Sequence, residues 1–200
     1  MSFQNDHHEP SSLNFVLPRI ERFALNGLLS TFSMFLSEDN LLRVFRRETR
    51  KLDRLLKDDE SYDVFQVIKI PRVIGVSESN RSWSVLMVID HLCLVIEDCR
   101  KAIVALSDGA ELRGEVDLSF YVPNEDVGVD VLERFETLTH CFCNDIQAAI
   151  QREAAFSGPA RFLHPYFGDM NAKQWLAFAA LHQAIHRRQV KKIIVMLGIV

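Results

Sequence analysis

The sequence contains little of what marks several common protein classes, beginning with cysteine. The 200 residues include only four cysteines: Cys93, Cys99, Cys141 and Cys143. No two of them form a CxxC pair, so neither a disulfide framework nor a zinc knuckle is indicated. We therefore predict reduced, partly buried thiols in a cytoplasmic protein.

A targeting or membrane-spanning segment is also missing from the pattern. Residues 1–12 are polar and lack the apolar core of a signal peptide. Residues 193–200 are apolar but far too short to cross a bilayer. Neither internal repeats nor low-complexity tracts occur. The sequence thus predicts a cytoplasmic protein that does not associate with membranes.

An excess of basic charge is absent as well. The formal net charge is −4, which provides no electrostatic footprint for nucleic acid. Basic residues do cluster between positions 43 and 54, but Glu48 and Asp53 lie among them. A solvated face of mixed charge explains this cluster better than a phosphate-binding surface. We expect no nucleic-acid partner.

What the sequence does contain is hydrophobic residues at helical spacing. They make up 48% of the chain, which suits one globular domain with a substantial core. We predict a flexible tail over 1–12, in which His7 and His8 are exposed, and a single domain over 13–200. The first two helical runs could form one bent helix or two. The first predicted helix covers 13–36 and is followed by a break at 37–40. The second ends near 57, and the remaining three cover 83–106, 126–154 and 171–197.

The connections between these helices are long and varied. Residues 60–80 and 115–122 alternate loosely, like short strands, and residues 155–170 are long enough to cross the end of a bundle. The fold class that follows is all-α. We predict a four-helix bundle with a long crossover and an extra N-terminal helical segment over 13–37.

The last predicted helix carries the strongest functional signal. On its apolar side, His182 and His186 lie one turn apart, and Gln189 continues the same line. Two histidines at this spacing share a helix face and can bind one metal ion. A polar ring without a partner is costly in an apolar core. Core hydrogen bonds would also satisfy the pair, but the spacing favours a ligand role.

His91 is the only other histidine that lies on a strongly predicted helix and faces the protein interior. A helical bundle could bring it to the same point as the pair. Three neutral imidazoles and a water would form an open divalent metal site. An ion there would act as a Lewis acid or lower the pKa of water or of a thiol. Taken alone, His91 is better explained by a core hydrogen bond.

Neighbouring polar residues suggest supporting roles. Asp98 could orient a ligand ring or form a salt bridge between helices, and Gln189 could orient a ring or simply pack. Gln183 occupies the position of the glutamate in HExxH, which argues against a zincin protease. His140 points away from the core stripe of its helix, so we do not expect it to be a ligand.

Taken in order, these residues resemble a known family. Residues 81–92, which begin RSWSVL and end with His91 and Leu92, are similar to the second helix of the DinB/YfiT-like superfamily. Residues 164–168 (HPYFG) and the last helix with its histidine pair resemble the final part of that superfamily. The likeness covers roughly residues 38–197 and points to a branch known chiefly as a domain of unknown function.

The resemblance implies a four-helix bundle, frequently dimeric, in which His91, His182 and His186 bind a divalent metal that is often zinc or nickel. Characterised members include thiol S-transferases that use bacillithiol or mycothiol, a maleylpyruvate isomerase, and proteins called metal-dependent hydrolases. A small-molecule substrate and a low-molecular-weight thiol are therefore implied. His164 is expected to have a structural role in its loop. The N-terminal extension departs from the family pattern.

Three hypotheses follow from these observations. The first is a metal-dependent enzyme of the thiol S-transferase or hydrolase type. The second is a non-catalytic bundle that acts through dimerisation or partner binding, which the phenylalanine-rich segment 15–35 favours. The third is a closed structural metal site with His140 or Asp98 as the fourth ligand.

Overall fold

A computed structural model describes residues 17–57, 62–152 and 155–198. The predicted tail at 1–12, with His7 and His8, lies outside these residues. The helices are α1 (Arg19–Phe35), α2 (Glu38–Lys57), α3 (Val85–Ser107), α4 (Val131–Ile150) and α5 (Ala172–Met196). Short strands form two antiparallel pairs, β1 (Ile68–Lys69) with β2 (Ser82–Trp83) and β3 (Phe162–His164) with β4 (Gly168–Met170). The predicted all-α class is confirmed.

Helices α2 to α5 form a four-helix bundle whose order around its axis is α2, α5, α3, α4. Helices that follow each other in the chain are therefore not always neighbours. Because α2 lies diagonally opposite α3, and α4 opposite α5, the chain must cross an end of the bundle between α2 and α3 and again between α4 and α5. Helix α1 packs outside this core, mainly against α5.

The core is built around α3, which is buried on nearly all sides, as its continuous apolar sequence predicts. On the far side of the bundle, the rings of Phe45 on α2 and Phe142 on α4 stack with their centroids 4.3 Å apart. Both side chains are fully buried. Helices α2 and α4 therefore meet through a buried aromatic contact.

Side-chain caps set where several helices begin. The Ser84 hydroxyl accepts a hydrogen bond from the backbone N–H of Met87 at the start of α3. Asn171 and Gln174 form the predicted capping box at the start of α5. The first two helical runs are separate helices, because the chain breaks at Leu36 and Ser37.

Two segments differ from the sequence-based expectation. Residues 115–122 do not form a strand: apart from one bridge between Glu115 and Leu163, they turn into a 3₁₀ helix at Leu118–Tyr121. The Asp117 carboxylate accepts the backbone N–H of Ser119, and such a local bond competes with strand pairing. Helix α4 is also shorter than predicted, spanning Val131–Ile150 instead of 126–154.

None of the helices in the described part of the chain combines the length and the apolar character that a membrane span requires.

Candidate metal centre

Three histidines from two neighbouring helices meet inside the bundle. His91 lies on α3, and His182 and His186 lie one turn apart on α5. Their ring centroids are 5.1 Å (91–182), 4.6 Å (91–186) and 4.3 Å (182–186) apart. One nitrogen from each ring lies within 4.8 Å of the other two. Together the three histidines, the triad below, could hold a metal ion.

The ring of His91 is held by a backbone carbonyl. Its Nδ1 lies 2.6 Å from the carbonyl oxygen of Tyr121. A carbonyl can only accept, so Nδ1 carries the proton and Nε2 keeps its lone pair. That Nε2 faces the Nε2 of His182 at 3.3 Å. The Trp83 ring packs against the same imidazole with centroids 5.1 Å apart.

His186 is oriented in the same manner by an amide. Its Nδ1 lies 2.7 Å from the Gln189 Oε1, and Gln189 donates through Nε2 to the backbone carbonyl of Asn80 at 2.6 Å. The carbonyl of Asn80 therefore fixes which end of the amide faces the histidine. Because Oε1 accepts, His186 also carries its proton on Nδ1 and presents an unprotonated Nε2.

Burial keeps the three rings neutral. Loss of solvation lowers the pKa of His91 to about 4, although the Tyr121 carbonyl and Asp90 oppose the shift. Burial, and then the neighbouring imidazoles, lower the pKa of His182 and of His186 well below the ordinary value. Neutral imidazoles are the form that binds a divalent cation.

The donor set fits a zinc-like ion. In a tetrahedral site with metal–nitrogen bonds of about 2.0–2.1 Å, two ligand nitrogens lie about 3.3 Å apart. The Nε2 atoms of His91 and His182 have this separation, 3.3 Å. Among the described residues, no carboxylate or thiol joins the three imidazoles as a fourth nearby donor. The residues therefore match an open three-histidine site.

Asp98 does not touch an imidazole in the triad. Its carboxylate accepts the hydroxyl of Tyr121 at 2.9 Å, and the backbone carbonyl of Tyr121 in turn faces His91. It also lies 3.7 Å from Lys101 of its own helix. Sequence reasoning missed Tyr121 and Asn80, because both act through backbone carbonyls, which every residue possesses.

The remaining candidates lie away from the centre. His140 is exposed on α4 and pairs with the Asn144 side chain 3.2 Å away. The side chain of Gln183 is fully buried, and neither its Nε2 nor its Oε1 has a hydrogen-bond partner among the described residues. Gln183, and not a carboxylate, therefore occupies the position of the glutamate in HExxH.

A cavity of about 540 Å³ opens beside the triad. Its walls come from α1, α3, α5 and the connections that cross the bundle ends, and most of the lining side chains are apolar. All three histidines reach it, as do Asp98 and Tyr121. A cavity of this size and character is typical of small-molecule sites, which span about 300–1,000 Å³.

His164 lies in the wall of this cavity and not in the triad. The Phe178 ring stands between them, with centroids 4.9 Å from His164 and 5.3 Å from His182. Nδ1 of His164 accepts the backbone N–H of Tyr166 at 3.1 Å, which stabilises the turn between β3 and β4. Burial lowers the pKa of His164 to about 4.

Comparisons with known proteins agree with this architecture. No protein-family model and no curated protein matches the sequence. A solved structure does: TT2238, described as a four-helix bundle protein, superimposes with a TM-score of 0.52 at 22% identity. The match covers 78% of this chain and 98% of the other. The fold is a four-helix bundle. At this identity the likeness extends to the fold alone.

Proposed function

We propose that the chain is a DinB/YfiT-like metal-dependent enzyme of the thiol S-transferase or hydrolase type. In this proposal His91, His182 and His186 bind one divalent ion, zinc or nickel. The observation that carries it is the convergence of three neutral imidazoles, two of which have Nδ1 committed to an acceptor and therefore an unprotonated Nε2. When bound, the ion would supply Lewis acidity toward a carbonyl oxygen or a thiol.

The surrounding residues support this role by holding and enclosing the site. Tyr121 and Gln189 orient two of the rings, and the packing of Trp83 restricts the first of them further. Because all three histidines line the cavity, a small-molecule substrate and a low-molecular-weight thiol have a route to them. Such preorganised ligands bind metal tightly, because little ordering remains at the moment of binding.

The proposal extends to the whole protein. We infer one DinB-like domain over 13–200, and a cytoplasmic location, which the free cysteines support. The thiols of Cys93 and Cys99 are buried, and burial raises the pKa of Cys93 to about 12. Neither thiol would ionise at neutral pH, and the other two cysteines lie on α4, which does not line the cavity. A reacting thiolate would therefore come from a separate small molecule.

Metal analysis tests the proposal. Purified protein should hold close to one zinc or nickel ion per chain, and His182→Ala should lower that content to near zero. His140→Ala, at an exposed position on α4, is the matched control and should keep the ion. A metal-free protein whose melting temperature does not respond to added zinc or nickel would contradict the proposal.

Cobalt substitution distinguishes an open site from a closed structural one. The absorption spectrum of the cobalt protein should change when a small anionic ligand such as azide is added, because a position remains open. A spectrum that is indifferent to azide, with His182→Ala still losing the ion, would favour the closed structural site.

A second candidate function, homodimerisation, is favoured by the outer face of α1. Ile20 and Phe23 are 83% and 82% exposed, and Met34 and Phe35 near the other end of the helix are more than 70% exposed. Ile20 and Met34 each lie seven residues from Gly27. Two antiparallel copies of α1 that cross at Gly27 would bring Ile20 of one copy beside Met34 of the other across a two-fold axis, so we propose a second copy of the chain as its partner.

Sedimentation of wild type and of Phe23→Asp tests the interface. We expect a dimer that becomes a folded monomer in the variant. Glu133→Gln, at an exposed position near the start of α4, is the control and should leave the dimer intact. A wild-type protein that sediments as a monomer at high micromolar concentration would refute this second candidate.

A further inference from the structure

The cavity beside the triad has an aromatic wall with a defined arrangement. The Phe162 and Trp175 rings stack with centroids 5.7 Å apart and an interplanar angle of 26°. Phe178 meets Trp175 edge to face at 83°, with centroids 5.6 Å apart. His164 packs against both Trp175 and Phe178. Mutual packing of this kind makes a rigid wall that suits a flat, apolar ligand.

Helix α1 forms part of the opposite side. Leu25 and Leu29 are buried and line the cavity, while Phe23 on the same helix points to solvent. Polar contacts from Glu21 and Asn26 hold the helix in place. Glu21 pairs with Arg72 at 2.6 Å, and Asn26 donates to the backbone carbonyl of Tyr166. The N-terminal extension therefore contributes apolar surface to the cavity and is part of the site.

One hydrogen-bond donor lies within the aromatic wall. Nδ1 of His164 accepts the backbone N–H of Tyr166, so the neutral ring carries its proton on Nε2. The ring lines the cavity, and its Nε2–H is thus a donor for a ligand oxygen. The triad offers a second polar point, separated from His164 by Phe178.

The charged residues that line the cavity are mainly acidic. They are Asp98, Lys101, Glu115 and Asp117. Their formal sum is −2, since three carboxylates accompany one ammonium group. Without a metal ion at the triad, this charge opposes the entry of phosphorylated and other polyanionic compounds. A divalent ion would bring the sum to zero, so no net charge would draw a polyanion into the cavity.

We propose that this cavity binds an uncharged aromatic carbonyl compound. Its rings lie against the wall formed by Phe162, Trp175 and Phe178, and its carbonyl oxygen accepts a hydrogen bond from the His164 Nε2–H. The triad lies on the other side of Phe178 in the same cavity. The aromatic wall and His164 do not depend on a metal ion at the triad.

Fluorescence of prodan, a neutral naphthyl ketone whose emission shifts to the blue in apolar surroundings, tests the proposal on the full-length protein. We expect saturable binding at one site per chain, with and without zinc. Ala102→Phe, which places a ring in the cavity from a buried position on α3, should weaken binding at least tenfold. Ala105→Trp should weaken binding to the same extent. Because Ala105 is only half-buried, this substitution does not require the core to repack. Glu133→Gln, at an exposed position on α4 outside the cavity lining, is the control and should bind like wild type.

A second comparison isolates the donor. His164→Phe keeps an aromatic ring but removes Nε2–H, so it should weaken prodan binding about tenfold and leave N-phenyl-1-naphthylamine, which has no carbonyl, unaffected. In competition, 1-naphthaldehyde should displace prodan more strongly than 1-naphthyl phosphate. The proposal is wrong if prodan binding does not saturate, or if 1-naphthyl phosphate competes better than 1-naphthaldehyde. It is also wrong if Ala102→Phe and Ala105→Trp both bind prodan as wild type does.

Metal content, measured on the same samples, separates the two proposals. Protein that binds prodan but no zinc or nickel would refute the metal-dependent function and leave the aromatic site standing. Protein that binds the metal but not prodan would refute the aromatic site alone.

Discussion

Acidification is expected to destabilise the metal-free protein, because buried histidines resist protonation only while the chain is folded. Burial lowers the pKa of His91 and of His164 to about 4. In the unfolded chain both return to an ordinary pKa of about 6.5. Between these values the unfolded state binds more protons than the folded state, so stability is complete above pH 6.5 and falls as the pH decreases.

The size of the effect follows from the two pKa values. At pH 5 a histidine whose pKa is 6.5 unfolded and about 4 folded favours unfolding by about 2 kcal/mol. His91 and His164 together then remove about 4 kcal/mol, and His182 and His186, whose pKa values are also lowered, act in the same direction. Domains have about 5–15 kcal/mol of stability in total. The loss is therefore a large fraction of the free energy of unfolding, and less urea should unfold the protein at pH 5 than at pH 7.

Urea denaturation of chelator-treated protein at pH 7 and pH 5, followed by far-UV circular dichroism, measures this loss. His164→Asn keeps an oxygen that can accept the Tyr166 N–H but removes the titrating ring, so its loss between the two pH values should be smaller by about 2 kcal/mol. His140→Asn at the exposed position on α4 controls for the removal of a histidine. The reasoning is refuted if wild type and His164→Asn lose equal free energy, or if wild type loses none.

Three further substitutions have defined outcomes. Gln189→Leu removes the acceptor that orients the His186 ring at 2.7 Å and should weaken zinc binding about 10- to 100-fold in a competition titration with a chelator, while the far-UV spectrum stays unchanged. Gln183→Met replaces a fully buried amide without a hydrogen-bond partner among the described residues, and it should raise the free energy of unfolding in urea by about 1–3 kcal/mol. A variant that is less stable than wild type would mean that the amide is hydrogen-bonded. Glu48→Ala breaks a buried carboxylate network between α2 and α5 and should lower that free energy by about 3 kcal/mol. Asp53→Ala removes an exposed pair of α2 and should change it by less than about 1 kcal/mol, so equal effects would contradict the buried role.

The helices were predictable because their signals are local. The cap at Asn171 with Gln174, and the apolar stripe that follows, determine α5 from a short stretch of sequence. The pair His182 and His186 shares a face for the same reason: one helical turn separates them. Bringing His91 to the pair needed one more assumption, that α3 packs beside α5 in the bundle, and the two helices are neighbours.

What escaped prediction depends on contacts between distant, irregular segments. The carbonyl of Tyr121 reaches His91 from a 3₁₀ helix thirty residues away, and the carbonyl of Asn80 holds Gln189 from the other side. Backbone carbonyls have no side-chain signature. The strand-like alternation of 115–122 was misleading, because Asp117 bonds to its own backbone neighbourhood instead of to a partner strand.

The stacked pair of Phe45 and Phe142 lies on helices that contribute neither a triad histidine nor any lining residue to the cavity. Most of the aromatic and acidic lining, by contrast, belongs to the stretches 112–121 and 162–167, between helices. Such stretches accept insertions and replacements more readily than packed helices do. Evolution could therefore exchange the molecule that this scaffold recognises by rewriting a few turns, while descendants inherit the same foldable frame.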